Sequence, residues 1–263
     1  MSTLEAIFLG LIQGITEFLP ISSSGHLVLI QNLLGLKNIK EFIVFDMICH
    51  LGTLLAIFIV YAKRIQAIIL HEREMLYKIL LALLPLFPLL LILKPIKAVF
   101  DQPQYLGYFF LCTALILYTG IRFSKESSED EGPKPSWRDA LTIGLFQALA
   151  ILPGISRSGS TISGARLLGW RYEQAITFSF LLAIPTILGG VVVELSQVFL
   201  KPHEHPLPQL SWAQYAAGFF FSFIFGWFSL IFLQRLATKQ RFMYFVWYCL
   251  FLGILTTLYF RNF

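Results

Sequence analysis

The sequence predicts an all-α, polytopic integral membrane protein, built as an inverted-topology repeat with two re-entrant helix pairs and about six full transmembrane helices. Three observations lead there. Of 263 residues 57% are hydrophobic and only 13% charged, with a mean hydropathy of +0.72, whereas soluble domains run near about 25% charged. Apolar stretches long enough to cross a bilayer recur along the chain, too many to bury in one water-soluble core. Residues 5–36 align without gaps onto 139–170 at a constant offset of 134, with eleven of 32 positions identical, including Gln13/Gln147, Ser22/Ser156, Ser24/Ser158, Gly25/Gly159 and Gly35/Gly169.

The elements follow in order. "MSTLEAIF" has no basic n-region or small-residue cleavage site, so no cleavable signal peptide is expected. Segments 4–19 and 26–36 are broken by "PISSSG", and at about 1.5 Å per residue the shorter reaches only about half way across about 30 Å of hydrocarbon. They read as a re-entrant pair. Spans at 42–61, 76–93 and 105–121 complete a first half, residues 1–121. A linker at 122–138, carrying "SKESSEDEGPKPS", reads as a flexible cytoplasmic loop. The second half, 139–263, repeats the plan with short segments 139–152 and 160–169 and spans at 174–197, 211–233 and 242–260. Three crossings per half turn the second upside down relative to the first, so the loops "PISSSGH" and "PGISRSGS" enter from opposite sides and meet near the middle.

Charge sets the orientation. Lys63, Arg64, Arg73, Lys78, Arg122, Lys125, Lys134, Arg138, Arg171, Arg235, Lys239 and Arg241 fall on one side, and Lys37, Lys40, Lys94, Lys97, Lys201 and Arg261 on the other. The richer side is expected in the cytoplasm, with both termini outside and the first loop opening outward. The net charge of +5 is spread over loops without a long basic run, which speaks against nucleic acid as a partner. Cys49, Cys112 and Cys249 stand alone in apolar segments and suggest neither a zinc site nor a disulfide framework.

Several residues could carry chemistry. Gln13 and Glu17, spaced i and i+4, leave one face of the first short helix, and a carboxylate at membrane depth marks a functional site or an ion pair, here with Arg157. Glu17 could bind a divalent cation or act as a general base. Ser22, Ser23 and Ser24 either cap a helix or supply a nucleophile, and His26 beside them suits a proton carrier or nucleophile, or a histidine satisfied by a carbonyl. In "PGISRSGST", Gly154 lets backbone approach a ligand, Arg157 offers a planar fork for phosphate oxygens, and the N–H groups opening the next helix point into the loop. Without a Gly-Lys-Ser/Thr run it is a phosphate cradle other than a Walker A loop. Asp46 and His50 share a face of the first full span and either shape the site from behind or satisfy each other.

These residues resemble the undecaprenyl-diphosphatases, also called bacitracin-resistance proteins, of bacterial inner membranes. The (E/Q)xxxE–Pro–SSxGH motif of that family matches Gln13, Glu17, Pro20, Ser22, Ser23 and His26. Its PGxSRSxxT motif matches Pro153, Gly154, Ser156, Arg157, Ser158 and Thr161, and the layout fits from end to end. Many relatives carry Glu where this chain has Gln13, which leaves Glu17 as the only carboxylate of the first motif.

The resemblance implies hydrolysis of undecaprenyl diphosphate to undecaprenyl phosphate and inorganic phosphate, recycling the lipid carrier of peptidoglycan synthesis, in the inner membrane, from a cavity reached from the outer face. It further implies that Arg157 and backbone N–H groups hold the diphosphate, and that Glu17 with Gln13 binds Mg2+ or Ca2+. Ser23 would be the nucleophile with His26 as its base, direct attack by His26 being the competing mechanism. Ser22, Ser156, Ser158 and Thr161 would donate supporting hydrogen bonds, with Gly154 beside them. A homodimer stays open. The rival class is a secondary transporter or flippase for a phosphorylated polyprenyl lipid, which would need Arg157 and the N–H groups but neither nucleophile nor base.

Overall fold

The computed structural model describes residues 1–36, 42–100, 102–124, 135–200, 210–236 and 238–261. These residues form helices and no strands. Most of the linker, and Lys37, Lys40, Lys125, Lys134 and Lys201 of the charge count, lie outside the described residues.

Helix α1 (Thr3–Phe18) starts at a capping box in which the Ser2 hydroxyl accepts from Glu5 N at 3.2 Å and the Glu5 carboxylate accepts from Ser2 N. It stops before Pro20, which has no N–H to continue the ladder. Helix α2 (Ser23–Leu33) follows at once, its N-cap Ser22 accepting from Gly25 N at 3.3 Å. The same chemistry recurs 134 residues on: α8 (Trp137–Leu149) starts at a Ser136/Asp139 capping box, and Ser156 caps α9 (Arg157–Leu167) through Gly159 N at 3.1 Å. Both α2 and α9 end at a left-handed glycine, Gly35 at φ +73° and Gly169 at φ +91°.

Among the described residues, six helical stretches are long and apolar enough to cross a membrane: Ile43–Val60, Arg73–Ile96, Pro103–Arg122, Tyr172–Leu200, Trp212–Arg235 and Arg241–Arg261. Four are plain helices: α3 (Ile43–Val60), α10 (Tyr172–Leu200), α11 (Trp212–Arg235) and α12 (Lys239–Arg261), the last extending two residues beyond its apolar stretch. The 105–121 span is α7 (Leu106–Arg122), entered through a short 3-10 turn at Pro103–Tyr105. The expected single span at 76–93 is instead segmented into α5 (Arg73–Leu81), a 3-10 stretch Leu84–Ile92 and α6 (Leu93–Phe100). Pro85 and Pro88 are the reason, since each removes a backbone donor within one helical turn. A further helix, α4 (Ala62–His71), occupies what reads as loop in the sequence.

Helix α1 lies against α11 and α3. The approach is close because small residues meet: a Cβ on Gly10 would sit 2.7 Å from Gly218 O, and one on Gly14 2.7 Å from Gly226 N. The largest core cluster, with Phe18, Phe180 and Trp170, surrounds the second pair, while the outside carries exposed apolar side chains such as Leu91 and Phe199. That inside-out surface suits lipid and not water. Cys49 and Cys249 are buried, Cys112 is exposed, and all three are free.

Candidate active site

The two broken helix pairs cross where α2 and α9 begin. A Cβ on Gly25 would lie 2.7 Å from Gly154 Cα, so the backbones touch there and only glycine fits. Gly154 is also in the left-handed region at φ +99°. Hydroxyls stitch the crossing together. Gly154 N donates to Ser22 Oγ at 3.1 Å, and Ser158 Oγ donates to Leu19 O at 3.1 Å. From α7, Thr113 Oγ1 donates to Gly154 O at 2.7 Å and accepts from Ser156 N at 3.0 Å.

Glu17 lies in the last turn of α1 at this crossing and is 7% exposed. Its Oε1 accepts from Arg157 Nη2 at 2.7 Å, and its Oε2 accepts from Ser23 Oγ at 2.6 Å and from Gln13 Nε2 at 2.9 Å. His50 Nε2 stands 3.7 Å from the same Oε2. A single buried carboxylate thus joins a hydroxyl, an amide, a guanidinium and an imidazole, arriving on α1, α2, α3 and α9. Burying a charge in hydrocarbon is costly unless it is paired and hydrogen-bonded, and here it is both. Arg157 is held from behind: Nη1 donates to Ser179 O at 3.3 Å, and Thr161 Oγ1 donates to Arg157 O at 2.9 Å while meeting Ser179 Oγ at 2.7 Å.

The expected Ser23–His26 pair is not formed among the described residues. His26 Nδ1 lies 2.7 Å from Ser22 O, and since a carbonyl only accepts, that nitrogen carries the hydrogen. Its Nε2 is 2.7 Å from the Tyr248 hydroxyl on α12. Both ring nitrogens are engaged, and the hydroxyl of Ser23 turns to Glu17 instead. Ser22, Ser156, Ser158 and Thr161, expected to face the diphosphate, are 3% exposed or less and bond mainly within the protein, bracing the two loops and Arg157. Ser23 and Ser24 are the more open hydroxyls.

Asp46 and His50 do not pair through their side chains. Gln31 Nε2 donates to both Asp46 oxygens at 3.1 and 3.2 Å, and His50 Nδ1 donates to Asp46 O at 2.7 Å. That backbone bond leaves Nε2 toward Glu17. Sequence reasoning missed Gln31, Thr113, Ser179 and Tyr248. Each lies outside both motifs, among other polar residues of its helix, and a polar group in a helix at membrane depth is the signal the sequence offers for them.

Among the described residues no group of three His, Cys, Asp or Glu side chains could hold a metal ion. Gln13 Oε1 is nevertheless buried without a hydrogen-bond partner among the described residues, on the same amide that reaches Glu17. Two oxygen donors of this kind fit a hard cation that keeps water and shares the phosphate oxygens of a substrate, which is how Mg2+ is commonly bound.

The fold and the site define a multi-pass membrane protein with a carboxylate, a hydroxyl and a guanidinium gathered where two broken helices meet. The profile described as "Bacitracin resistance protein BacA" matches residues 6–255, and the chain belongs to that family. An undecaprenyl-diphosphatase of Protochlamydia amoebophila is 54% identical over 261 residues, 99% of this chain and 100% of the relative. Proteins of the same name from Carboxydothermus hydrogenoformans (97% of this chain, 96% of the relative) and Halothermothrix orenii (97% of each) are 38% and 35% identical.

Proposed function

We propose that the chain is an undecaprenyl-diphosphatase, which cleaves the phosphoanhydride of undecaprenyl diphosphate to leave the lipid monophosphate and inorganic phosphate. The observation that carries the chemistry is the 2.6 Å hydrogen bond from Ser23 Oγ to Glu17 Oε2, with Arg157 on the other carboxylate oxygen. It is a nucleophile within reach of a base, beside a cation that suits phosphate.

In this reading the polyprenyl tail stays in lipid while the diphosphate enters between the openings of α2 and α9. Both helices present first-turn N–H groups there, and Arg157 supplies the charge. Ser23 Oγ attacks the terminal phosphorus as its proton passes to Glu17. The P–O bond to the bridging oxygen breaks, and its electron pair leaves with the lipid monophosphate. Arg157 and the N–H groups offset charge on the transferring phosphoryl group. Glu17 gives the Ser23 proton to the departing lipid monophosphate. It then takes a proton from a water molecule that attacks the phosphoserine, the P–Oγ bond breaks, and Ser23 Oγ recovers the proton from Glu17 as inorganic phosphate leaves. Gln13 and Glu17 would hold a Mg2+ or Ca2+ ion, whose contribution when bound is to neutralise phosphate oxygens. Attack by His26 is less well supported, because both its nitrogens are already bonded. The excess of Lys and Arg on one side supports a site opening to the outer face of the bacterial inner membrane, with the loops entering as re-entrant pairs from opposite sides.

The test is phosphate release from a polyprenyl diphosphate by the purified protein in detergent, with and without divalent cation. Substrate labelled in its terminal phosphate and quenched during turnover is expected to leave label on the peptide containing Ser23. Label on His26 would overturn the assignment, and an inactive wild type would overturn the function.

A further inference from the structure

We propose that Tyr248 is a positioning residue for the phosphatase site, acting through His26 on the strained turn that aims Ser23. This rests on the reading of the site as a phosphatase. Tyr248 comes from α12, 222 positions along the chain from His26, and neither sequence motif contains it. Its hydroxyl lies 2.7 Å from His26 Nε2, and the two rings are parallel to within 8° at a centroid distance of 5.7 Å. Phe110 meets the imidazole edge-on at 5.2 Å, and Ser22 O takes the Nδ1 hydrogen at 2.7 Å. The ring is therefore fixed at both nitrogens and packed against two aromatic side chains. Because Nδ1 carries the hydrogen of the neutral ring, Nε2 presents a lone pair and the Tyr248 hydroxyl donates to it.

The consequence reaches Ser23 through Ser22. Ser22 is the one non-glycine residue with positive φ among the described residues, at φ +71° and ψ +96°. A backbone of that kind costs on the order of 1–3 kcal/mol and persists only when its surroundings hold it. Here the Ser22 carbonyl is held by His26, and its hydroxyl accepts from Gly25 N and Gly154 N. Ser23, the next residue, opens α2 and reaches Glu17. A continuous chain thus runs from Tyr248 through His26 and Ser22 to the contact between the two loops, with the nucleophile attached to its middle. Without the phenolic hydrogen, Nε2 of a 6%-exposed imidazole is left unsatisfied, and the ring loses the contact opposing its pull on Ser22. Displacements of the order of an ångström at a nucleophile cost turnover far more than they cost binding.

Tyr248→Phe keeps the stacked ring and removes only the hydrogen bond. The expected result is about a tenfold fall in kcat with KM within about twofold. In a His26→Asn background, adding Tyr248→Phe is expected to change kcat by less than about twofold, because the route through His26 is already cut. Fully additive losses would mean that Tyr248 acts by a route other than His26, and that result, or full kcat in Tyr248→Phe, overturns the proposal. Nitrogen-15 resonances of histidine-labelled protein give a readout independent of turnover. Wild type should show a hydrogen-bearing Nδ1 and an acceptor Nε2 for His26, with the Nε2 signal moved in Tyr248→Phe; an unmoved signal also overturns it. A wild type that releases no phosphate from a polyprenyl diphosphate would instead sink the phosphatase reading, while the resonance still tests the contact.

Discussion

Glu17 carries more of the site than any other side chain, because each of its oxygens serves a different partner. Glu17→Gln keeps the volume but removes the base for Ser23 and the counter-charge for Arg157. Turnover should fall by about 10²–10⁴-fold, the usual worth of a general base, read as phosphate release from protein whose melting has been checked. Arg157→Lys keeps the charge but not the fork. One guanidinium nitrogen reaches Glu17 and the other the Ser179 carbonyl, and a single ammonium cannot do both. We expect kcat to fall by about 10²-fold or more, as when a transition-state donor is lost, with the helical circular dichroism signal unchanged. The i, i+4 spacing of Gln13 and Glu17 and the pairing of Glu17 with Arg157 were legible in the sequence, since charged groups in hydrocarbon need partners. The direction of His26 was not. Nothing in "SSSGH" tells that Ser22 adopts a positive φ and offers its carbonyl to the ring, or that a tyrosine far along the chain comes to the other nitrogen.

At the scale of elements, the site depends on two backbones crossing in contact. The Cβ of Gly25→Ala would fall 2.7 Å from Gly154 Cα and 2.9 Å from Gly154 N, both backbone atoms that cannot swing aside. Forcing the loops apart should destabilise the protein by about 1–3 kcal/mol. It should also lower kcat by about 10²-fold through misplacement of Ser23 and Arg157. A thermal melt and an assay on the same preparation separate the two effects, and unchanged values in both would show that the loops do not meet there. Helix ends were readable because caps are local: Ser2, Ser136, Ser22 and Ser156 each precede the helix they cap. The interruption around Pro85 and Pro88 was hidden by an apolar run that satisfies any hydropathy window, and α4 was hidden because its ten residues, with Lys63, Arg64, Gln66 and His71 among them, are too short and polar to read as a span.

For the whole molecule, six apolar helices and an apolar exterior establish that the chain lives in a membrane, while its orientation rests on charge alone. Twelve Lys and Arg residues against six favour a cytoplasmic linker, and on the same count the connection between α10 and α11 is expected outside. If the two halves are inverted, Glu17 and Ser23 come from the half whose loop opens outward and Arg157 from the half whose loop opens inward, so the lipid diphosphate would meet nucleophile and base on its way in and the guanidinium at the floor. Single cysteines read this directly. In a background with Cys112, the one exposed cysteine of the three, replaced by serine, His205→Cys should react with a membrane-impermeant maleimide in intact spheroplasts. Ser127→Cys should react only after the membrane is opened. The reverse pattern would place the linker outside and turn the entrance beside Ser23 to the cytoplasm, and equal labelling of both in intact spheroplasts would mean that the chain inserts in two orientations.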